Sequence, residues 1–259
     1  MLVIILAGLA AAIIGIVLYY LPRYLTVRIL SALGRFNYPT GWGVLRFVEN
    51  NPELPLRATS TSIDPNVLGG MLIMVIALAV PQLFSSRPVL PRYVIAPILG
   101  VLGFCLYLTY SRSALIGLTA SMVLIGLLRY RRLLILLLLV ALLILYLPQT
   151  QDYVERLQAG LKGQDLATKM RFGEYKDALI LISRYPWFGV GFAGAPDIDI
   201  YIGVSSLYLL MAEQMGVIGV GVFLIIMGRF FALAWRGWRA SRDNPRLEAL
   251  LVGLAGALG

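Results

Sequence analysis

Arg57, Arg112, Arg171 and Glu213 are the ionisable residues whose positions invite chemistry. Charged groups at or within an apolar span are costly to keep, and a guanidinium can grip phosphate oxygens two at a time. Arg112 stands alone between two apolar runs, in Thr109-Tyr110-Ser111-Arg112-Ser113. It reads either as an anchor that snorkels to the headgroups or as an anion clamp at a membrane surface. Arg171 shares a helical face with Tyr175, Ala178 and Ile182, at spacings of four, three and four. Its plainer reading is a salt bridge to Glu174 or a headgroup contact. Arg57 opens a Thr/Ser-rich stretch that runs to Asp64-Pro65-Asn66, and it reads either as a solvated loop arginine or as a third cation of the same site. Glu213 is the only acid inside an apolar run. It suits a structural hydrogen bond between helices, or a carboxylate that acts as a base or an arginine's partner. Ser205 and Ser206 stand where that run begins and suit a helix N-cap.

What is absent narrows the chemistry further. Histidine is missing, which removes the commonest general base and the commonest metal ligand. The one cysteine, Cys105, lies in an apolar run, so no intrachain disulfide and no Cys/His metal cluster is expected. No cofactor is implied. Gly189, Gly191 and Gly194 do not form a dinucleotide fingerprint, which needs a strand before and a helix after; a close-packed turn is expected there.

The elements that must position these residues are apolar helices. The chain has 259 residues, 59% apolar and 14% charged, whereas soluble domains carry about a quarter charged residues. Several runs approach the roughly 17–25 apolar residues that cross a bilayer, and the alternating segments of a β-barrel are absent. The pattern predicts an all-α, polytopic transmembrane bundle of six to seven spans. A single membrane domain over 1–259 is expected, with spans at about 2–21, 66–84, 93–110, 113–128, 133–147 and 206–235. An incomplete one follows at 250–259, which suggests a fragment or a half-length last helix. The first span shows no signal-peptide pattern. Asp64-Pro65-Asn66 marks the start of the second span. A charged amphipathic helix is predicted after Lys169, breaking at Arg184-Tyr185-Pro186.

Sidedness follows from the basic residues. The segments 85–92, 129–132 and 229–248 carry ten arginines and two acids, so they are expected in the cytoplasm. The polar segments 22–65 and 149–204 then face outward; the latter has six basic and seven acidic residues. Arg23 and Arg28, close after the first span, pull against this assignment. The net charge of +9 is thus a matter of topology, with no nucleic-acid partner implied.

Four blocks together resemble the bacterial O-antigen ligase and polymerase family of membrane glycosyltransferases. They are Arg57 through Asp64-Pro65-Asn66-Val67-Leu68-Gly69-Gly70; Tyr110-Ser111-Arg112-Ser113-Ala114; Arg171 through Pro186-Trp187-Phe188-Gly189-Val190-Gly191; and Ser206-Leu207-Tyr208-Leu209 through Glu213 and Gly216. The resemblance implies a glycan donor on polyprenyl pyrophosphate and a glycan or lipid acceptor hydroxyl. It also implies a multi-pass protein of the bacterial cytoplasmic (inner) membrane with its active face outward. Arg112, Arg171 and, more weakly, Arg57 would hold the pyrophosphate without a metal, supported by Asn66, Ser111, Ser205, Ser206 and Tyr208. Many ligases carry a histidine just before the Asn-x-Tyr-Leu block; here Ser205 and Ser206 stand near that place. Glu213, Asp197 and Asp199 are the groups left to act as base. The rival from another class is a non-enzymatic transporter or scaffold for lipid-linked oligosaccharide. A transporter should show repeats or helices broken at the midplane, and neither is visible in the sequence.

Overall fold

A computed structural model describes residues 1–146, 166–192, 204, 206–240 and 244–258. Among these residues the secondary structure is helical, apart from one isolated bridge between Phe47 and Leu56. The α-helices are α1 (Leu2–Tyr20), α2 (Arg23–Ser31), α3 (Pro65–Phe84), α4 (Arg92–Leu108), α5 (Arg112–Leu128), α6 (Arg131–Tyr146), α7 (Leu166–Arg184), α8 (Leu207–Ala240) and α9 (Pro245–Leu258). Three of them are long and apolar enough to cross a membrane: Leu2–Tyr20, Pro65–Phe84 and Leu207–Arg239 within α8. The apolar helices α4 and α5 are shorter. The chain forms two compact units, residues 1–146 with 236–259, and residues 147–235.

In the first unit α1 packs on α3 and α4, and α9 packs on α3 and α5. Helices that are apolar all round cannot choose a packing face by hydrophobicity, so small residues mark the contact. The buried side of α1 is Ile5, Gly8, Ala12, Gly15 and Leu18, spaced four and three. A Cβ on Gly8 would meet Val75 at 2.6 Å, and one on Gly15 would meet the Cys105 sulfur at 3.0 Å. Behind this seam Leu68, Leu72, Leu102, Leu106 and Ile125 form the core. Gly253 and Gly256 bring α9 close in the same way. Their Cβ atoms would lie 2.9 Å from the Ala77 carbonyl and 2.6 Å from Ile125. The last apolar run is therefore a packed helix.

The helices of this unit have two chemically different ends. One gathers the C-termini of α1 and α4 with the N-termini of α3 and α5. The other carries Arg87, Arg92, Arg129, Arg131, Arg132 and Arg246. There the Arg92 guanidinium donates to the Ser85 carbonyl (3.0 Å), Ser85 Oγ to the Pro245 carbonyl (3.3 Å) and Arg246 to the Arg87 carbonyl (3.2 Å). Arg129 pairs with Glu248 at 2.8 Å.

Two elements differ from the sequence-based expectation. The polar stretch after the first span holds α2 and three short 3-10 turns. These lie over a satellite core of Leu18, Leu30, Val44 and Leu45, with Thr26 Oγ1 donating to the Leu18 carbonyl at 2.9 Å. In the second unit, α8 is not one span. Gly216 takes φ 66° and ψ −173° and breaks the helix. A straight helix would separate residues 208 and 223 by about 22 Å along its axis, yet the Tyr208 and Phe223 rings meet at 6.3 Å. The short segment 207–215 is folded against the start of the longer one. That longer segment, residues 217–240, rises about 36 Å and exceeds the length a bilayer core requires.

Candidate functional site

The first two sequence blocks meet at the end of the first unit opposite its arginine-rich end. Asp64 caps α3 by accepting the Asn66 N–H at 2.6 Å, with Pro65 at the first helical position. Ser111 caps α5, accepting the Ala114 N–H at 3.3 Å. Between α4 and α5 the chain reverses through Tyr110, whose φ of 49° is left-handed. Gly69 lets α3 and α5 approach; a Cβ there would stand 2.7 Å from that of Ala114. The chain leading to Arg57 is fastened by two backbone bonds, Arg57 N–H to the Arg46 carbonyl and Ala58 N–H to the Leu108 carbonyl, both 2.8 Å.

These constraints bring Arg57, Asn66 and Ser111 together. Arg57 Nε donates to the Thr109 carbonyl at 2.8 Å, and its Nη2 donates to Asn66 Oδ1 at 3.0 Å. Ser111 Oγ donates to the same oxygen at 2.8 Å and lies 3.2 Å from Ser113 Oγ. Asn66 thus joins the guanidinium of Arg57 to the cap of α5, whose first residue is the half-buried Arg112. Thr109 was missed by sequence reasoning because its contribution is a main-chain oxygen. Arg46 and Arg57 also line a narrow crevice with Tyr19, Thr26 and Thr59.

Arg171 and Glu213 belong to the second unit. On α7, Ala178 and Leu181 are buried while Arg171, Tyr175 and Ile182 are half-buried, so Arg171 lies on the inward side of its helix. The loop that follows is docked into the break of α8. In an unbroken helix the N–H groups of Val217 and Ile218 would bond the carbonyls of Glu213 and Gln214. Instead they donate to the carbonyls of Pro186 (2.8 Å) and Trp187 (3.4 Å). The stranded carbonyls of Glu213 and Gln214 accept from Val190 (2.8 Å) and Gly191 (3.0 Å). Each freed group is re-paired, as an apolar medium demands. Gly189 (φ 66°) and Gly216 are required by this exchange. A Cβ on Gly189 would collide with the Glu213 carbonyl, and one on Gly216 with the Trp187 carbonyl.

Glu213 therefore stands three residues before a break and not inside an uninterrupted span. Its side chain is 1% exposed, and neither carboxyl oxygen has a hydrogen-bond partner among the described residues. Such a group is expensive to bury and calls for a proton, a cation or a substrate donor. Ser206 accepts the Leu210 N–H through its carbonyl at 2.9 Å, and Tyr208 is exposed. Asp197, Asp199 and Ser205 lie outside the described residues.

No curated protein matches the chain. Residues 97–224 match the O-antigen ligase family, a stretch that holds Ser111, Arg112, Arg171, Ser206, Tyr208 and Glu213 but stops short of Arg57 and Asn66. From within α4 to beyond the break in α8, the chain matches the O-antigen ligase family, which supports the family read from the four sequence blocks.

Proposed function

We propose that the protein transfers a glycan from a polyprenyl-pyrophosphate donor to an acceptor hydroxyl at the outer face of the bacterial cytoplasmic membrane. The family is one of membrane glycosyl transfer in polysaccharide and lipopolysaccharide biosynthesis. The observation that carries the reading is the span of the family match, which takes in Arg112, Arg171 and Glu213. In this reading six or seven helices cross the bilayer, with the arginine-rich end of the first unit in the cytoplasm. The acceptor oxygen attacks the anomeric carbon, and the bond from that carbon to the pyrophosphate oxygen breaks. The lipid pyrophosphate leaves with the electron pair, and the hydroxyl proton passes to a base. Arg112 and Arg171, with Arg57 in support, hold the departing phosphates, since fixed cations in a dry site stabilise developing negative charge. Asn66 and Ser111 keep Arg57 in place; Ser205, Ser206 and Tyr208 support the acceptor side. Glu213 is the leading candidate base, with Asp197 and Asp199 behind it.

The break in α8 favours the rival reading, a transporter of lipid-linked oligosaccharide, because broken helices are common there. In such proteins the exposed helix ends face the cargo, whereas here the Pro186–Gly191 loop takes up the freed groups. The enzyme reading is therefore kept. The test is binding of a polyprenyl pyrophosphate to the protein in nanodiscs, with Arg112→Ala and Arg171→Ala alongside. The expected result is at least a tenfold loss of affinity in each variant, with helix content unchanged. Unaltered binding in both would overturn the assignment of the arginines.

A further inference from the structure

We propose that residues 20–46 form a basic, aromatic collar that binds the headgroups of anionic phospholipids at the end of α1. The argument begins with chain connectivity. α1 ends at Tyr20 and α2 begins at Arg23, so α2 cannot leave the membrane boundary by more than a few residues' reach. It is also folded back. Thr26 and Leu30 are buried, and Leu30 packs with Leu18, near the end of α1, in the satellite core.

That packing turns a second face outward. Tyr24, Phe36 and Trp42 are 65%, 70% and 68% exposed, although large aromatic rings are costly to leave in water. Tyrosine and tryptophan favour the membrane–water boundary, where a ring can be half dry and its polar edge wet. Among them stand the exposed Arg23, Arg28 and Arg35. Arg23 lies over the Phe47 ring at 5.4 Å, and Arg35 over Phe36 at 5.0 Å. No acidic residue precedes Glu49, so the collar has no carboxylate of its own. Charge complementarity therefore selects an anionic partner, and the adjoining apolar α1 selects one that lies in the bilayer.

The collar also accounts for a discrepancy. Arg87, Arg92, Arg129, Arg131, Arg132 and Arg246 crowd the opposite end of the first unit, so the arginines of α2 stand against the sidedness rule. A direct role at the lipid surface gives them a reason to be there. This inference does not rest on the proposed transferase activity.

The experiment uses the whole chain in phosphatidylcholine nanodiscs, with Trp42 read as the difference between wild type and Trp42→Phe. One fifth of the lipid is replaced by brominated phosphatidylglycerol, or by brominated phosphatidylcholine. Trp42 quenching by the anionic lipid is expected to exceed that by the zwitterionic one at least twofold. In Arg23→Gln/Arg28→Gln/Arg35→Gln the quenching should persist while the excess disappears. Trp42 fluorescence untouched by either lipid would overturn the proposal and leave the face to solvent or a protein partner. Equal quenching in the wild type would also overturn it, as would an excess that survives the triple change. If the triple variant does not fold, the three single variants carry the test, each expected to lower the excess.

Discussion

Asn66 Oδ1 receives two donors, Arg57 and Ser111, and so ties a candidate phosphate-holding cation to the start of α5. Asn66→Ala removes that acceptor. It is expected to cost about 1–2 kcal/mol of stability and to weaken polyprenyl-pyrophosphate binding several-fold. Asn66→Asp keeps both bonds but places a negative charge beside the guanidinium, so it should spare thermal stability while still weakening binding. If both substitutions leave the affinity unchanged in nanodisc titrations, Arg57 has no part in holding the donor. The members of this network were legible in the sequence, as an arginine before a capped span and a serine before a lone arginine. Their meeting was not. It depends on the Ala58 N–H and the Arg57 Nε, which donate to the main-chain carbonyls of Leu108 and Thr109 in a segment some fifty residues further on.

Among the elements, α8 shows most clearly what an apolar run conceals. Gly216 sits in such a run together with Gly219, Gly221 and Gly228, and nothing in composition or period separates it from them. The difference lies in a partner loop. Pro186-Trp187-Phe188-Gly189-Val190-Gly191 was expected to make a close-packed turn, and its packing partner is the backbone of α8 itself. Gly189→Ala and Gly216→Ala are each expected to destabilise the second unit, through a strained backbone costing about 1–3 kcal/mol and a steric clash with main chain. Gly221→Ala, with open space around its Cβ position, should be neutral or gain a few tenths of a kcal/mol from helix propensity. Melting curves of the three variants in detergent would check this ranking, and equal melting temperatures would refute it. α2 was equally hidden, because it is only nine residues long, follows a proline and mixes two arginines among its apolar positions.

On the scale of the whole molecule, the helical class was legible because runs of this length and apolarity have few other structures open to them. The arrangement was not legible, because lipid-facing and core-facing residues are alike apolar. The contacts of α1 and α9 are fixed by glycine and alanine, which carry little hydrophobic signal. Gly253→Leu or Gly256→Leu should therefore destabilise the first unit by about 1–3 kcal/mol, the usual cost of overpacking. The same change at Gly228, where the Cβ position is open, should not. Loss of monodispersity on heating would report the difference.

The joint between the Pro186–Gly191 loop and the break in α8 also has a direction in time. Ribosomes deliver the loop before Gly216, so the groups that re-pair the broken turn already exist when that turn is made. The chain never has to hold an open helix end while it waits for a later segment. In the opposite order, Glu213, Gln214, Val217 and Ile218 would offer their main-chain groups to a bilayer with nothing to receive them.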